Sequence, residues 1–278
     1  MINQTPRPGA HRTKLMQRMI AFVTVLAAVS TPVVAQPPGL VVSVAASVYD
    51  ALEEIAGLYR STTGVSVAVN AGGSNTLARQ IVEGAKAGLF ISADETQMDA
   101  VEKAGRIVPG TRTRLLTNEL AVVVPQSTKD FTLARLLEGR IARLAMGEPG
   151  AVPAGVYGRR WLEHEGAWAR VESKVVPFPT VRAVLSAVEN GRVDAGIVYR
   201  TDATTSAVRV IASLSRKDHP YLDIAYPAAV IVGPSEKDAR RFLEFLKGPA
   251  ARAVFDKRGF GRPPVLSEPK PLLGRVEG

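Results

Sequence analysis

The stretch Leu40–Tyr59, LVVSVAASVYDALEEIAGLY, decides the fold class. Leu40-Val41-Val42-Ser43-Val44 is a nearly continuous apolar run, the pattern of a strand buried on both faces of a sheet. Ala45-Ala46-Ser47 follow as a turn of small residues. Val48, Leu52, Ile55 and Tyr59 then recur at spacings of four, three and four, which is one face of an α-helix. The same unit repeats down the chain. Val65–Val69 alternates as a second strand, with a helix from Asn75 that carries Leu77 and Ile81 inward and stops at Gly84. Leu89-Phe90-Ile91 reads as a third short strand, with a helix over Gln97–Ala104. A second series opens at the strand Leu120–Val124, closed by Pro125. It continues with a helix around Leu133–Leu137, a strand Ile141–Met146 and a helix Ala154–His164. A strand Val175–Phe178, a helix Val181–Glu189 and a strand Ala195–Tyr199 complete it. Residues 222–233 form a returning strand, and helices Ser235–Lys247 and Pro249–Lys257 close the chain. Strands alternating with helices predict an α/β architecture. Two such series predict two lobes: residues 36–124 and 229–278 in the first, 125–228 in the second, with crossovers near Val124 and Ile231. A ligand would then sit between the lobes, beyond the carboxyl ends of the strands. The Pro- and Gly-rich tail after Phe260 is expected to be loose.

The amino terminus reads as an address. Arg7, Arg12, Lys14 and Arg18 stand before an apolar run, Met19–Val29, broken only by Thr24. Small residues follow up to Val33-Val34-Ala35. A basic segment, a short apolar segment and small residues make a signal peptide over 1–35, cleaved near Ala35, with a periplasmic destination. The apolar run is about half the ~20 residues a membrane-crossing helix needs. Cleavage leaves 243 of the 278 residues and takes four bases and no acid with it, so the formal charge falls from +9 to +5. That mild positive balance favours the approach of anions. Basic residues are not interleaved with aromatics, and with aromatics at 6% of the chain no nucleic-acid surface is indicated. The chain has no cysteine, which excludes a disulfide framework, a thiolate metal site, a cysteine nucleophile and a lipid-modified cysteine.

Enzymatic readings find little support. His164 and His219 share no metal-ligand spacing, and Glu163-His164-Glu165 reads as a solvated helix end. Nucleophile-elbow, phosphate-loop and dinucleotide motifs are lacking. Asp50, Glu53 and Glu54 open a helix, where acids complement its dipole. The chain does supply strand-to-helix turns made of small residues: Ala45-Ala46-Ser47, Ala71–Thr76, Val152-Pro153-Ala154-Gly155 and Pro179-Thr180-Val181. Each is an ordinary helix start by itself, with Ser or Thr as cap. Converging on one cleft, they would form an anion site from exposed N–H groups.

These turns resemble those of the periplasmic molybdate-binding proteins of ABC transporters. The resemblance runs from about Val41 to Phe260. It is carried by Ala45–Leu52, Gly73–Ile81, Ser92-Ala93-Asp94 with Met98-Asp99, Val152–Gly155 and Gly196–Ala203. It implies the two-lobed type II periplasmic-binding-protein fold and a solute-binding role, not an enzyme. The expected ligand is molybdate or tungstate, bound as the oxyanion without a cofactor or a directly coordinated metal. It implies that Ser47 and Ser74 donate from the first lobe, and that Ala154 and Val181 (backbone N–H) and Tyr199 (phenolic O–H) donate from the second. The implied partners are a permease with its ATPase, served by a monomer. Three positions depart from the family: Asn75 replaces a neighbouring hydroxyl, Val48-Tyr49 stands where Leu-Thr is usual, and Gly88-Leu89 where Asp-Val is usual. None removes an implied ligand. Rival readings are a binder of another small oxyanion such as sulfate, an exported hydrolase or adhesin-like protein, or a sensor domain sharing the same site.

Overall fold

The computed structural model describes residues 39–204 and 207–264, all within one compact unit, residues 38–278. The expected signal segment and its cleavage point lie outside the described residues, as does the tail beyond Pro264. In the first lobe the chain forms β1 (Leu40–Ala45), a 3-10 turn over Ala46–Val48, α1 (Tyr49–Thr63), β2 (Val67–Gly72), α2 (Ser74–Val82), β3 (Leu89–Ile91), α3 (Glu95–Lys103) and β4 (Thr113–Thr117). The second lobe contains β5 (Leu120–Pro125), α4 (Leu133–Leu137), β6 (Leu144–Gly147), α5 (Pro153–His164), α6 (Trp168–Val171), β7 (Val175–Phe178), α7 (Val181–Glu189), β8 (Ala195–Tyr199), α8 (Arg200–Ala203) and β9 (Val208–Leu214). The chain then returns to the first lobe through β10 (Ala225–Val230), α9 (Glu236–Lys247) and α10 (Pro249–Lys257).

Each lobe is built on a five-stranded sheet, in the order β2-β1-β3-β10-β4 and β7-β6-β8-β5-β9. The two follow one plan. Three parallel strands lead, and a fourth runs antiparallel to them: β10 beside β3, and β5 beside β8. The fifth strand is antiparallel to the fourth. The apolar run of β1 is buried as its pattern demands, with Val42 and Val44 at 0% exposure. Leu52, Ile55 and Tyr59 bring α1 onto the first sheet, and the Tyr59 ring meets Phe242 edge-on at 4.9 Å.

The sheets exchange the chain at different points from those expected. Both neighbours of β5 lie in the second sheet, so the first crossover is Asn118-Glu119, not the chain after Val124. The return crosses between Leu214 and Ala225, and all of β10 belongs to the first sheet. Pro125 ends a strand, but that end is remote from the crossover, and a strand-terminating proline does not mark a lobe boundary. Strands β4 and β9 were not anticipated. Both are the last strands of their sheets, β4 meeting only a single bridge, Thr117 to Gly261, on its outer side, and β9 alternates poorly between buried and exposed positions.

Candidate functional site

The turns that join strands to helices in the two lobes face one another and enclose a cavity. Its wall includes Ser47 and Ser74 from the first lobe and Ala154, Val181 and Tyr199 from the second. All five residues singled out from the sequence thus meet on one surface, and each is buried, with Tyr199 at 1% exposure and Ser74 at 2%. The centre of a water molecule has about 20 Å³ in which to move. Adding the water radius of ~1.4 Å gives room for a ball of about 3 Å radius, the size of one small tetrahedral ion. The lobes touch at bare backbone: a Cβ on Gly73 would sit 2.7 Å from the carbonyl oxygen of Pro179.

Each wall group is a donor for a local reason. Ser74 is the first residue of α2, so its backbone N–H has no partner within the helix. Its Oγ accepts the backbone N–H of Ala93 at 3.0 Å, which leaves the hydroxyl proton free to point elsewhere. In α5, Pro153 occupies the first position and has no N–H, so Ala154 carries the first N–H of that helix. In α7, the side chain of Thr180 accepts the N–H of Ala183 at 3.2 Å. That cap leaves the N–H groups of Val181 and Arg182 as the open ones. Tyr199 ends β8 with its phenolic oxygen buried and without a hydrogen-bond partner among the described residues. Burial raises its pKa well above 10, so it stays a neutral O–H donor.

Among the described residues, no Lys, Arg, Asp or Glu is on the cavity wall. The nearest charges in sequence are turned to other partners. Arg182 donates to Asp50 of the first lobe at 2.7 Å and lies 3.3 Å from the fully buried Asp202. Burial pushes Asp202 up to about 7, against the pull of Arg182. Asp94 follows the wall residue Ala93 and caps α3 by accepting the N–H of Gln97 at 2.9 Å. Burial pushes its carboxyl up to about 6. The site therefore presents dipoles, not full charges, to whatever it holds. Such a donor set suits a compact anion that offers acceptors only.

Sequence reasoning attached only a dipole role to Asp50 and did not single out Asn118, Tyr226 or Arg182. Their partners are distant in the chain, and no local spacing announces them.

Comparison with known proteins follows the same lines. The sequence profile of the family described as bacterial extracellular solute-binding protein matches residues 40–261. The molybdate-binding protein ModA of Escherichia coli is 40% identical over 230 residues, covering 80% of this chain and 88% of that protein. The putative ABC transporter substrate-binding lipoprotein YvgL of Bacillus subtilis is 38% identical over 225 residues, covering 80% of this chain and 85% of that one. Among solved structures, the periplasmic molybdate-binding protein of Azotobacter vinelandii superposes with a TM-score of 0.72 at 26% identity, covering 81% of this chain and 99% of that chain.

Proposed function

This chain belongs to the bacterial extracellular solute-binding proteins, and from that premise we propose that it captures molybdate for uptake by an ABC transporter. The observation that carries the reading is the wall of the cavity: the hydroxyls of Ser47, Ser74, Thr180 and Tyr199 and the opening N–H groups of α2, α5 and α7, with no cation or acid among the described residues. A dianion with four acceptor oxygens fits such a wall, whereas a protonated ion brings a further donor to a wall built mainly of donors. Ser47, Ser74, Ala154, Val181 and Tyr199 are the ligand-binding residues. Tungstate, of the same charge and shape, shares the site. Sulfate is smaller and makes fewer of these contacts at once.

The remaining parts of the reading follow from this role. The amino-terminal segment directs export to the periplasm and is cleaved near Ala35. The monomeric protein delivers its ligand to a permease with its ATPase, in the closed form that the ligand favours. The crossovers at Asn118-Glu119 and between Leu214 and Ala225 serve as the hinge.

Isothermal titration of the mature protein with molybdate, tungstate, sulfate and phosphate is the test. Molybdate and tungstate should bind tightly and sulfate at least tenfold more weakly. Sulfate binding as tightly as molybdate would overturn selection by size, and no binding of any oxyanion would overturn the function itself.

A further inference from the structure

The direction of the Ser47 hydroxyl is set from behind the cavity. Its Oγ lies 3.0 Å from the phenolic oxygen of Tyr226, a fully buried residue of β10 that is not part of the wall. Asn118, in the first crossover, donates through Nδ2 to that same phenolic oxygen at 3.1 Å and to Thr201 Oγ1 at 2.8 Å. Its Oδ1 accepts the N–H of Glu119 at 2.9 Å, which fixes the oxygen and nitrogen ends of the amide. An amide NH2 can only donate, so the Tyr226 oxygen accepts. Burial keeps the Tyr226 proton on its oxygen by raising the pKa well above 10. Among the described residues Ser47 Oγ is the other polar atom within reach of that hydroxyl, so the proton goes to Ser47. With one of its two lone pairs engaged by Tyr226, Ser47 keeps its own O–H for the cavity.

We propose that Asn118 and Tyr226 are positioning residues that lock Ser47 as a donor, and that this lock makes the site discriminate against tetrahedral anions carrying a proton. An unlocked serine can give its proton toward the Tyr226 side and turn both lone pairs to the O–H of a hydrogen-bearing anion; a locked one has one lone pair committed and its proton turned to the ligand, which disfavours that acceptance. The lock is anchored in both lobes, through Tyr226 in the first and Thr201 of α8 in the second. It rests on the oxyanion reading of the cavity and specifies how that cavity selects.

Sulfate and phosphate are close in size but differ in protonation at pH 7, so their affinity ratio isolates the effect of the lock. Tyr226→Phe keeps the ring that packs against Tyr199 at 5.7 Å and against Phe260 at 5.7 Å, and removes only the hydroxyl. Calorimetry on the mature protein should show the preference for sulfate over phosphate falling at least tenfold in this variant, with molybdate weakened only severalfold. Asn118→Asp, which puts an acceptor where the donor was, should narrow the same ratio. A general loosening of the site would move sulfate and phosphate together. An unchanged ratio in a folded Tyr226→Phe protein that still binds molybdate overturns the lock alone. A wild-type protein that binds no molybdate overturns the parent reading and the lock with it.

Discussion

Ser74 is placed to give a proton to the cavity. Because its Oγ already accepts from Ala93, its proton is available to a ligand. A hydrogen bond to a charged group is worth about 1.5–3 kcal/mol, so Ser74→Ala should weaken molybdate binding about ten- to a hundredfold. The same change leaves the Ala93 N–H without its acceptor and should lower the melting temperature by a few degrees. Unchanged affinity would remove Ser74 from the site. Asp94 acts in the opposite sense, as a buried acid one residue from the wall. Its folded pKa, about 6, stands above the ordinary 3.8 because burial penalises the charge. The folded chain therefore holds the extra proton between these values. Stability falls as pH rises through that window, and the cost persists in full above it. Asn caps a helix as well as Asp does. Asp94→Asn should thus gain on the order of 1–3 kcal/mol over wild type in urea unfolding at pH 8, with the advantage vanishing near pH 4. Equal gains at both pH values would show that the charge is not the cause. Molybdate should also bind the variant severalfold more tightly at pH 8, since a like charge has been removed. At this scale the sequence was only partly legible. Turn residues could be named because a strand-to-helix junction announces itself locally. Tyr226 could not, because its bond to Ser47 spans 179 residues.

The start of α5 shows how an element presents a donor. Gly147 at the end of β6 and Gly155 in the first turn of α5 bring strand and helix together so closely that a Cβ on Gly155 would lie 2.1 Å from the Gly147 carbonyl oxygen. That contact fixes where the Ala154 N–H points. Gly155→Ala must push the helix away, an overpacking that costs about 1–3 kcal/mol. It should also weaken molybdate binding, because Ala154 moves with the helix. Gly57, on the exposed side of α1, has nothing within 4 Å of a built Cβ. Gly57→Ala should stabilise by about 0.5–1 kcal/mol and leave binding untouched. Melting temperatures and molybdate affinities of the two variants check the contrast, and a well-tolerated Gly155→Ala would refute it. Elements with a strong period were readable from sequence: β1, β3, α1, α7 and the two closing helices fall where the apolar spacing puts them. The edge strands β4 and β9 were not, since half-exposure at a sheet edge blurs the alternation. The lobe boundary was displaced because a sheet's membership is decided by pairing partners, which a single strand's sequence does not record.

For the molecule as a whole, the site exists only while the lobes are together, since neither lobe supplies all five residues. Closure needs contacts other than the ligand, and Asp50 of α1 with Arg182 of α7 makes one across the gap at 2.7 Å. The position of Arg182, directly after Val181, couples this ion pair to a wall residue. Both side chains keep about a third of their exposure, 35% and 32%. An ion pair so placed is worth ~0.2–1 kcal/mol, enough to hold the closed form without trapping the ligand in it. Asp50→Asn keeps the volume and the polarity at the start of α1 while removing the charge. It should speed molybdate release about two- to fivefold at low salt, as followed by stopped-flow intrinsic fluorescence, and change the ligand-free melting temperature by no more than a degree or two. Because salt screens a half-exposed pair, wild type and variant should converge as ionic strength rises toward ~1 M. A release rate that Asp50→Asn leaves unchanged at low salt would place the control of opening elsewhere, in the crossover segments themselves.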